Sequence, residues 1–319
     1  MSDGSKIEWT DATWNVVIGC DKVSPGCDNC YAIRTAHRLS ANPNPQVAEA
    51  YAGTEADGEW TGQINLVHGR LDLPFQWGRA RKVFVNAQSD LFHKGVPDDF
   101  IAEVWAVMAL TPQHTYQILT KRPGRMHSLL ASRDFPDLVS AHVERLVGED
   151  HSPVPRAQRD TVRARMGAWQ SLVDYPLPNV WLGVSAEDQQ RLDLRAPLLA
   201  NTPAAVRFVS AEPLLGPLVP DARHYPIDWM IAGGESGPGA RPMNPQWVRD
   251  LRDASVLAGI AFHFKQWGEW GYAVGEERDG DVRFTLDGDW QGTHFLMRRL
   301  GKRHTGRTLD GRTWDEYPA

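Results

Sequence analysis

NVWLGVSAEDQQRLDLRAPLLANTPAAVRFVSAEP (179–213) decides the fold. It begins with an apolar run, NVWLGVS (179–185), carries a helical pattern from about 185 to 200, and closes on a second apolar run, AVRFVSA (205–211). Such runs, rich in Val, Phe and Trp, suit parallel strands covered on both faces, and strand–helix–strand is the unit of a parallel sheet. Working outward, TWNVVIG (13–19), KVFVNAQ (82–88), TYQILT (115–120), DWMIAGG (228–234) and AFHFKQ (261–266) read as further buried strands. PDDFIAEVWAVMAL (97–110) reads as a helix that opens on Pro97 and two acids. NPQWVRDLRDASVLAGI (244–260) reads as another, with Trp247, Leu251, Ala254 and Ala258 on one face and Gly259 as its stop. The expectation is an α/β fold, a partial or full TIM-like (β/α) barrel.

Length and composition agree with this. The chain has 319 residues, 42% hydrophobic and 23% charged, which is ordinary for a globular protein. Its net charge of -6 argues against a uniformly basic nucleic-acid surface. No apolar run reaches the roughly 18–20 residues of a membrane span, so no membrane role is expected. The polar start MSDGSKIEWTDATWN has no signal-peptide core, and thiols without an export signal point to the cytoplasm. The barrel is expected over residues 1–268, with insertions at about 40–75 and 133–178. A small β or irregular extension follows over 269–319, containing GDVRFTLDGDW and the basic RRLGKRH.

Each buried run ends on polar or glycine residues: Gly19-Cys20, Ser89-Asp90, Thr120-Lys121-Arg122, Ser185 with Glu187, Ser210 with Glu212, Gly233-Gly234-Glu235-Ser236, and Lys265-Gln266. In α/β barrels chemistry assembles at the C-terminal strand ends. Loops are polar in any case, but acids, cations and glycines chosen together suit a shared site. Glu212 precedes Pro213, which favours an extended break that holds the acid at the mouth. Asp90 reads equally as a ligand-binding group or a turn cap. Glu187 reads as a hydroxyl acceptor or as an acid in the first turn of a helix capped by Ser185. Arg122 suits a carboxylate or phosphate.

The only cysteines, Cys20, Cys27 and Cys30, fall within eleven residues, in GCDKVSPGCDNCYA (19–32). A disulfide would strand one thiol. A [4Fe–4S] cluster with one open iron uses three. Structural zinc wants four ligands, with His37 the nearest candidate for the fourth. A redox pair Cys27-x-x-Cys30 would leave Cys20 idle.

A three-cysteine loop after the first strand of a parallel barrel resembles the radical S-adenosylmethionine superfamily. That resemblance implies a cluster on Cys20, Cys27 and Cys30 whose open iron binds S-adenosyl-L-methionine. One electron then cleaves a carbon–sulfur bond to give a 5′-deoxyadenosyl radical, the cofactor carrying the hard chemistry. The commonest pattern there has three residues in the first gap and an aromatic before the last cysteine; here the gap is six and Asn29 stands in that place. At whole-chain level IEWTDATWN, QSDLFH, LTKRP, WLGVSAED, SAEPLLGP, IAGGESGPGARPM, FKQWGEW and GRTLDGRTWDEYP resemble the phage gp thirty-seven/gp sixty-eight family, considered radical-SAM-like.

From their places at the strand ends, Glu212, Lys265 and Asp90 are expected in catalysis. Ser185, Glu187, Gly233, Gly234, Glu235 and Ser236, also at strand ends, are expected in cofactor binding, although the superfamily's Gly-Gly-Glu segment follows an earlier strand and its role does not carry over by position. The expected partners are a substrate of nucleic-acid or nucleotide type and a reductant protein for the cluster. Two rivals remain: a zinc-stabilised nucleic-acid-binding protein, and a barrel hydrolase using Asp90, Glu212 or Glu235 as acid and base.

Overall fold

The computed structural model describes residues 4–5, 7–148, 152–157, 159–160, 175–285 and 294–319. Seven strands make its main sheet: β1 (Ala12–Trp14), β2 (Lys82–Val85), β3 (Thr115–Thr120), β4 (Val180–Ser185), β5 (Val206–Ala211), β6 (Trp229–Gly233) and β7 (Ala261–Gln266). They lie in chain order, β1-β2-β3-β4-β5-β6-β7, as a parallel sheet consistent with a partial TIM-like barrel. The chain divides into two compact units. One comprises Met1–Asp21, Ala32–Gly183 and Asn201–Val206; the other comprises Lys22–Tyr31, Val184–Ala200 and Arg207–Ala319.

In the first unit the register Ala12↔Val83 and Val85↔Ile118 aligns β1, β2 and β3. Helices α1 (Tyr31–Ser40), α2 (Asp98–Leu110), α3 (Pro123–Leu130) and α4 (Phe135–Gly148) accompany them. Pro97 stands at the cap of α2, as expected, and Phe100, Val104 and Met108 are buried. Trp105 meets Phe135 of α4 edge-on with ring centroids 5.6 Å apart. The 13–19 run is not one strand. Asn86, at φ 58, turns its Oδ1 to accept from the Val16 and Val17 amides at 3.0 and 3.1 Å. A side chain thus replaces the ladder, and Val17–Ile18 pairs instead with Asn65–Leu66.

In the second unit β5, β6 and β7 pair through Phe208↔Trp229 and Trp229↔Ala261. Helices α5 (Gln189–Ala200) and α6 (Pro245–Leu257) accompany them. Asn244 caps α6, which starts on proline, as Asn44 caps a helix (Pro45–Tyr51) in the first unit. The buried stripe of α6 is Val248, Leu251 and Ser255, while Trp247 is half-buried against Phe284. Beyond β7, strands β8 (Trp270–Tyr272), β9 (Val282–Thr285) and β10 (His294–Arg299) form a sheet in the order β8-β10-β9. The expected hairpin GDVRFTLDGDW and the expected 133–178 insertion lie partly outside the described residues. Residues 314–317 lie antiparallel to β7: Phe264 N donates to Trp314 O at 3.0 Å and Glu316 N to Phe262 O at 3.3 Å. No described helix is long and apolar enough to cross a membrane.

Candidate functional site

Each unit gathers its own set of strand-end residues. In the first, Asp90 follows β2 and is 5% exposed. Its carboxylate accepts from Thr120 Oγ1 at 2.7 and 2.9 Å, the Lys121 amide at 3.1 Å, the Phe92 amide at 3.0 Å and Arg122 Nη1 at 2.9 Å. It therefore caps its own turn and holds Arg122. The Arg122 guanidinium spans three groups. Nη1 also lies 3.6 Å from Cys20 Sγ, and Nη2 binds the Asp21 carbonyl at 3.1 Å and the Asp21 carboxylate. His93, buried, stands 3.1 Å from the other Asp21 oxygen. Burial works against the Arg122 charge, but Asp90, Cys20 and Asp21 outweigh it and drive its pKa up. Burial pushes the Cys20 thiol up to about 12; Arg122 pulls it back and Asp90 adds to the rise. The Arg122 cation thus meets the protein's own carboxylates.

In the second unit the loop carrying Cys27 and Cys30 is gripped by two carboxylates. Pro25–Cys27 is a single 3-10 turn with no side-chain cap and no buried residue. Glu187, wholly buried, accepts from the Gly26 amide at 3.1 Å and pairs with Arg195 Nη1 at 3.1 Å. Burial would raise the Glu187 carboxyl, but bonding from Ser24 and the Gly26 amide, with the Arg195 charge, brings it below its ordinary value. Ser185 is buried, and its carbonyl accepts from Arg195 at 2.7 Å. The side chain that serves the start of α5 is Asp188, which accepts from the Arg191 amide at 2.9 Å.

Glu235, at the end of β6, accepts from Asn29 Nδ2 at 3.0 Å and from the Arg241 amide, Nε and Nη2 at 2.8, 2.9 and 2.6 Å. Burial opposes its charge, yet the bonds from Arg241 and Asn29 depress its pKa. Arg241 continues to Asp28 at 3.1 Å and the Pro25 carbonyl at 2.8 Å. Gly233 and Gly234 approach protein. A Cβ on Gly234 would fall 2.0 Å from the Trp267 carbonyl oxygen. Lys265 Nζ bonds both Glu212 oxygens at 2.6 and 2.8 Å, and Gln266 Nε2 donates to Ser236 Oγ at 2.7 Å and the Gly234 carbonyl at 3.1 Å. Trp267 is buried, with its indole N–H on the Thr308 carbonyl at 2.9 Å.

All three cysteines are half-buried thiols outside any disulfide. Among the described residues, no group of three or more His, Cys, Asp or Glu side chains is arranged to hold a metal ion. His37, on α1, bonds Glu55 at 2.9 Å.

A family model described as a protein of unknown function, DUF5131, matches residues 4–318. The chain belongs to the DUF5131 family. No curated protein and no solved structure matches it. Two partners in the DUF5131 site went unread in the sequence, Asn29 and Arg195. Asn29 marks the departure from the aromatic expected before the last cysteine, and its amide is what reaches Glu235. Arg195 sits with Leu192, Ala196 and Leu199 on the buried stripe of α5. A cation on an apolar stripe signals a buried counter-charge, and Glu187 supplies it.

Proposed function

We propose that this DUF5131 protein is an iron–sulfur, S-adenosylmethionine-dependent radical enzyme, with Cys20, Cys27 and Cys30 as the ligands of a [4Fe–4S] cluster. One observation carries the reading: three half-buried thiols within eleven residues, two of them, Cys27 and Cys30, on a loop held to carboxylates through the Gly26 amide and the Asn29 side chain and not through its sulfurs. The donors fit in number and kind, because three thiolates leave one iron open. When bound, the cluster supplies the electron that cleaves the cofactor's carbon–sulfur bond.

The chain's residues have separate tasks. Arg122 sets a cation beside Cys20, favouring the thiolate that ligation needs against the burial that disfavours it. Asp90 orients that guanidinium. Glu187 and Glu235 serve the cofactor through the cysteine loop. Lys265 Nζ donates to both Glu212 oxygens at the end of β7, beside Gln266 and Ser236, and this pair faces the substrate. A nucleic acid or nucleotide is the substrate class, supported by the local basic group of exposed Lys302, Arg303 and His304 and by the likeness to phage motifs. A reductant protein supplies the electron.

The test is anaerobic reconstitution with iron and sulfide, then an assay for 5′-deoxyadenosine after adding S-adenosylmethionine and reductant. Cys20→Ala should lose both cluster and product. Fully loaded protein that makes none, while controls work, overturns the enzymatic reading. Protein that takes zinc and refuses iron overturns the cluster and leaves a zinc-stabilised binding protein.

A further inference from the structure

The loop that carries Cys27 and Cys30 has little of its own to hold it. Its one 3-10 turn buries nothing and has no side-chain cap. Fixing backbone costs conformational entropy, so a loop left to order itself around a metal would weaken the metal's binding. The ordering comes from residues about two hundred positions away in the chain. Asn29 Nδ2 bridges Glu235 Oε2 at 3.0 Å and the Gly239 carbonyl at 2.8 Å. Arg241 ties Asp28 and the Pro25 carbonyl to the same Glu235 carboxylate. None of these bonds uses a cysteine sulfur. Glu235 is 7% exposed and both its oxygens are taken, so it is built to hold protein. The fit is close: a Cβ on Gly239 would lie 2.3 Å from Asn29 Oδ1, which only glycine avoids.

We propose that Asn29, Glu235 and Arg241 form a clasp of positioning residues that fixes the spacing of Cys27 and Cys30 before any metal arrives. The inference rests on the cluster assignment for its purpose, and extends it to the GGESGPGARP segment. The clasp grips Pro25, in the six-residue gap, and includes Asn29, the residue before the last cysteine, the two places where this loop departs from the commonest three-cysteine pattern. Charge-assisted hydrogen bonds and a carboxylate–guanidinium fork give it more hold than neutral bonds would.

The test is a timed iodoacetamide pulse on the metal-free, reduced full-length protein, with each cysteine quantified by peptide mass spectrometry. Glu235→Ala is expected to speed alkylation of Cys27 and Cys30 by about tenfold, as loss of bonds to a charged group predicts. Cys20, held in the other unit beside Arg122, should react at the wild-type rate. Glu235→Gln keeps an acceptor for Asn29 and should fall between. Hydrogen exchange over residues 24–30 should rise in the same order. Unchanged rates at Cys27 and Cys30, or an equal rise at all three cysteines, overturns the clasp. Should Glu235→Ala fail to fold, Asn29→Ala opens the clasp from the loop side and is read the same way. If the wild type binds only zinc, the alkylation contrast still decides the clasp and the cluster reading fails alone.

Discussion

Removing Arg195 tests whether the buried pair beneath the cysteine loop is a true charge pair. Glu187 is wholly buried and Arg195 is 8% exposed at the side chain. Arg195→Ala leaves the carboxylate without its counter-ion, a loss of about 3–5 kcal/mol for a broken buried pair. The Ser185 carbonyl also loses its 2.7 Å donor, about 1 kcal/mol more. The Gly26 amide still reaches Glu187 and offsets part of this, so the expected net loss is about 3–4 kcal/mol at pH 7. Urea unfolding followed by tryptophan fluorescence measures it. In a Glu187→Gln background the same substitution should cost only about 1–2 kcal/mol, because no charge is stranded. The pH dependence has a definite sign. In the wild type the Glu187 carboxyl is held below its ordinary value, so its contribution is present near neutrality and is lost as pH falls through the depressed value. In the variant burial acts without Arg195 and raises the carboxyl, so the penalty is present at pH 7 and fades on acidification. The gap between the proteins should narrow from pH 7 towards 5. A loss below about 1 kcal/mol at pH 7, or an equal loss in the Glu187→Gln background, would refute the buried-charge argument.

Substitutions at four other positions probe the scaffold. Gly234→Ala would set a Cβ 2.0 Å from the Trp267 carbonyl oxygen, where only backbone can yield, and should cost more than about 3 kcal/mol; Gly233→Ala, whose nearest contact is 3.5 Å, should be nearly neutral in the same thermal melts. Asn86→Ala should cost about 3 kcal/mol in urea by stranding the buried Val16 and Val17 amides and keeping a left-handed backbone, while Asn86→Gly should be milder by about 1 kcal/mol. Asp310 is held down at about 2 by its bonds from Arg249, with burial opposing and Arg252 assisting. Its contribution is therefore present above pH 4 or so and lost between there and about 2, and Asp310→Asn should remove that limb from thermal unfolding measured across this range.

The seven strand regions were legible because a strand covered on both faces must be apolar along its length, which runs such as DWMIAGG satisfy. The break after Trp14 was not, since it depends on Asn86 reaching back from about seventy residues away. In the site, the cysteines stood out by number and spacing alone. Glu187 and Glu235 stood out as acids, but their partners did not: Gly26 and Asn29 lie 161 and 206 residues from them in the chain. An acid at a strand end reads the same whether it faces a ligand or a loop, and only the fold supplies the donor opposite it. The glycines of GGESGPGARP carried the same ambiguity, because a missing Cβ admits a protein backbone as readily as a cofactor.

The segment 314–317 has a consequence for how copies of this protein meet. β7 ends the seven-strand order, and an uncovered edge offers a row of amides and carbonyls that another chain can zip onto. Trp314 and Glu316 occupy that row, Glu316 O takes the Trp229 indole N–H at 2.8 Å, and Tyr317 lies over the Trp229 ring at 5.0 Å. A few residues thus act as a guard against edge-to-edge aggregation, anchored by the packing of Tyr317 on Trp229.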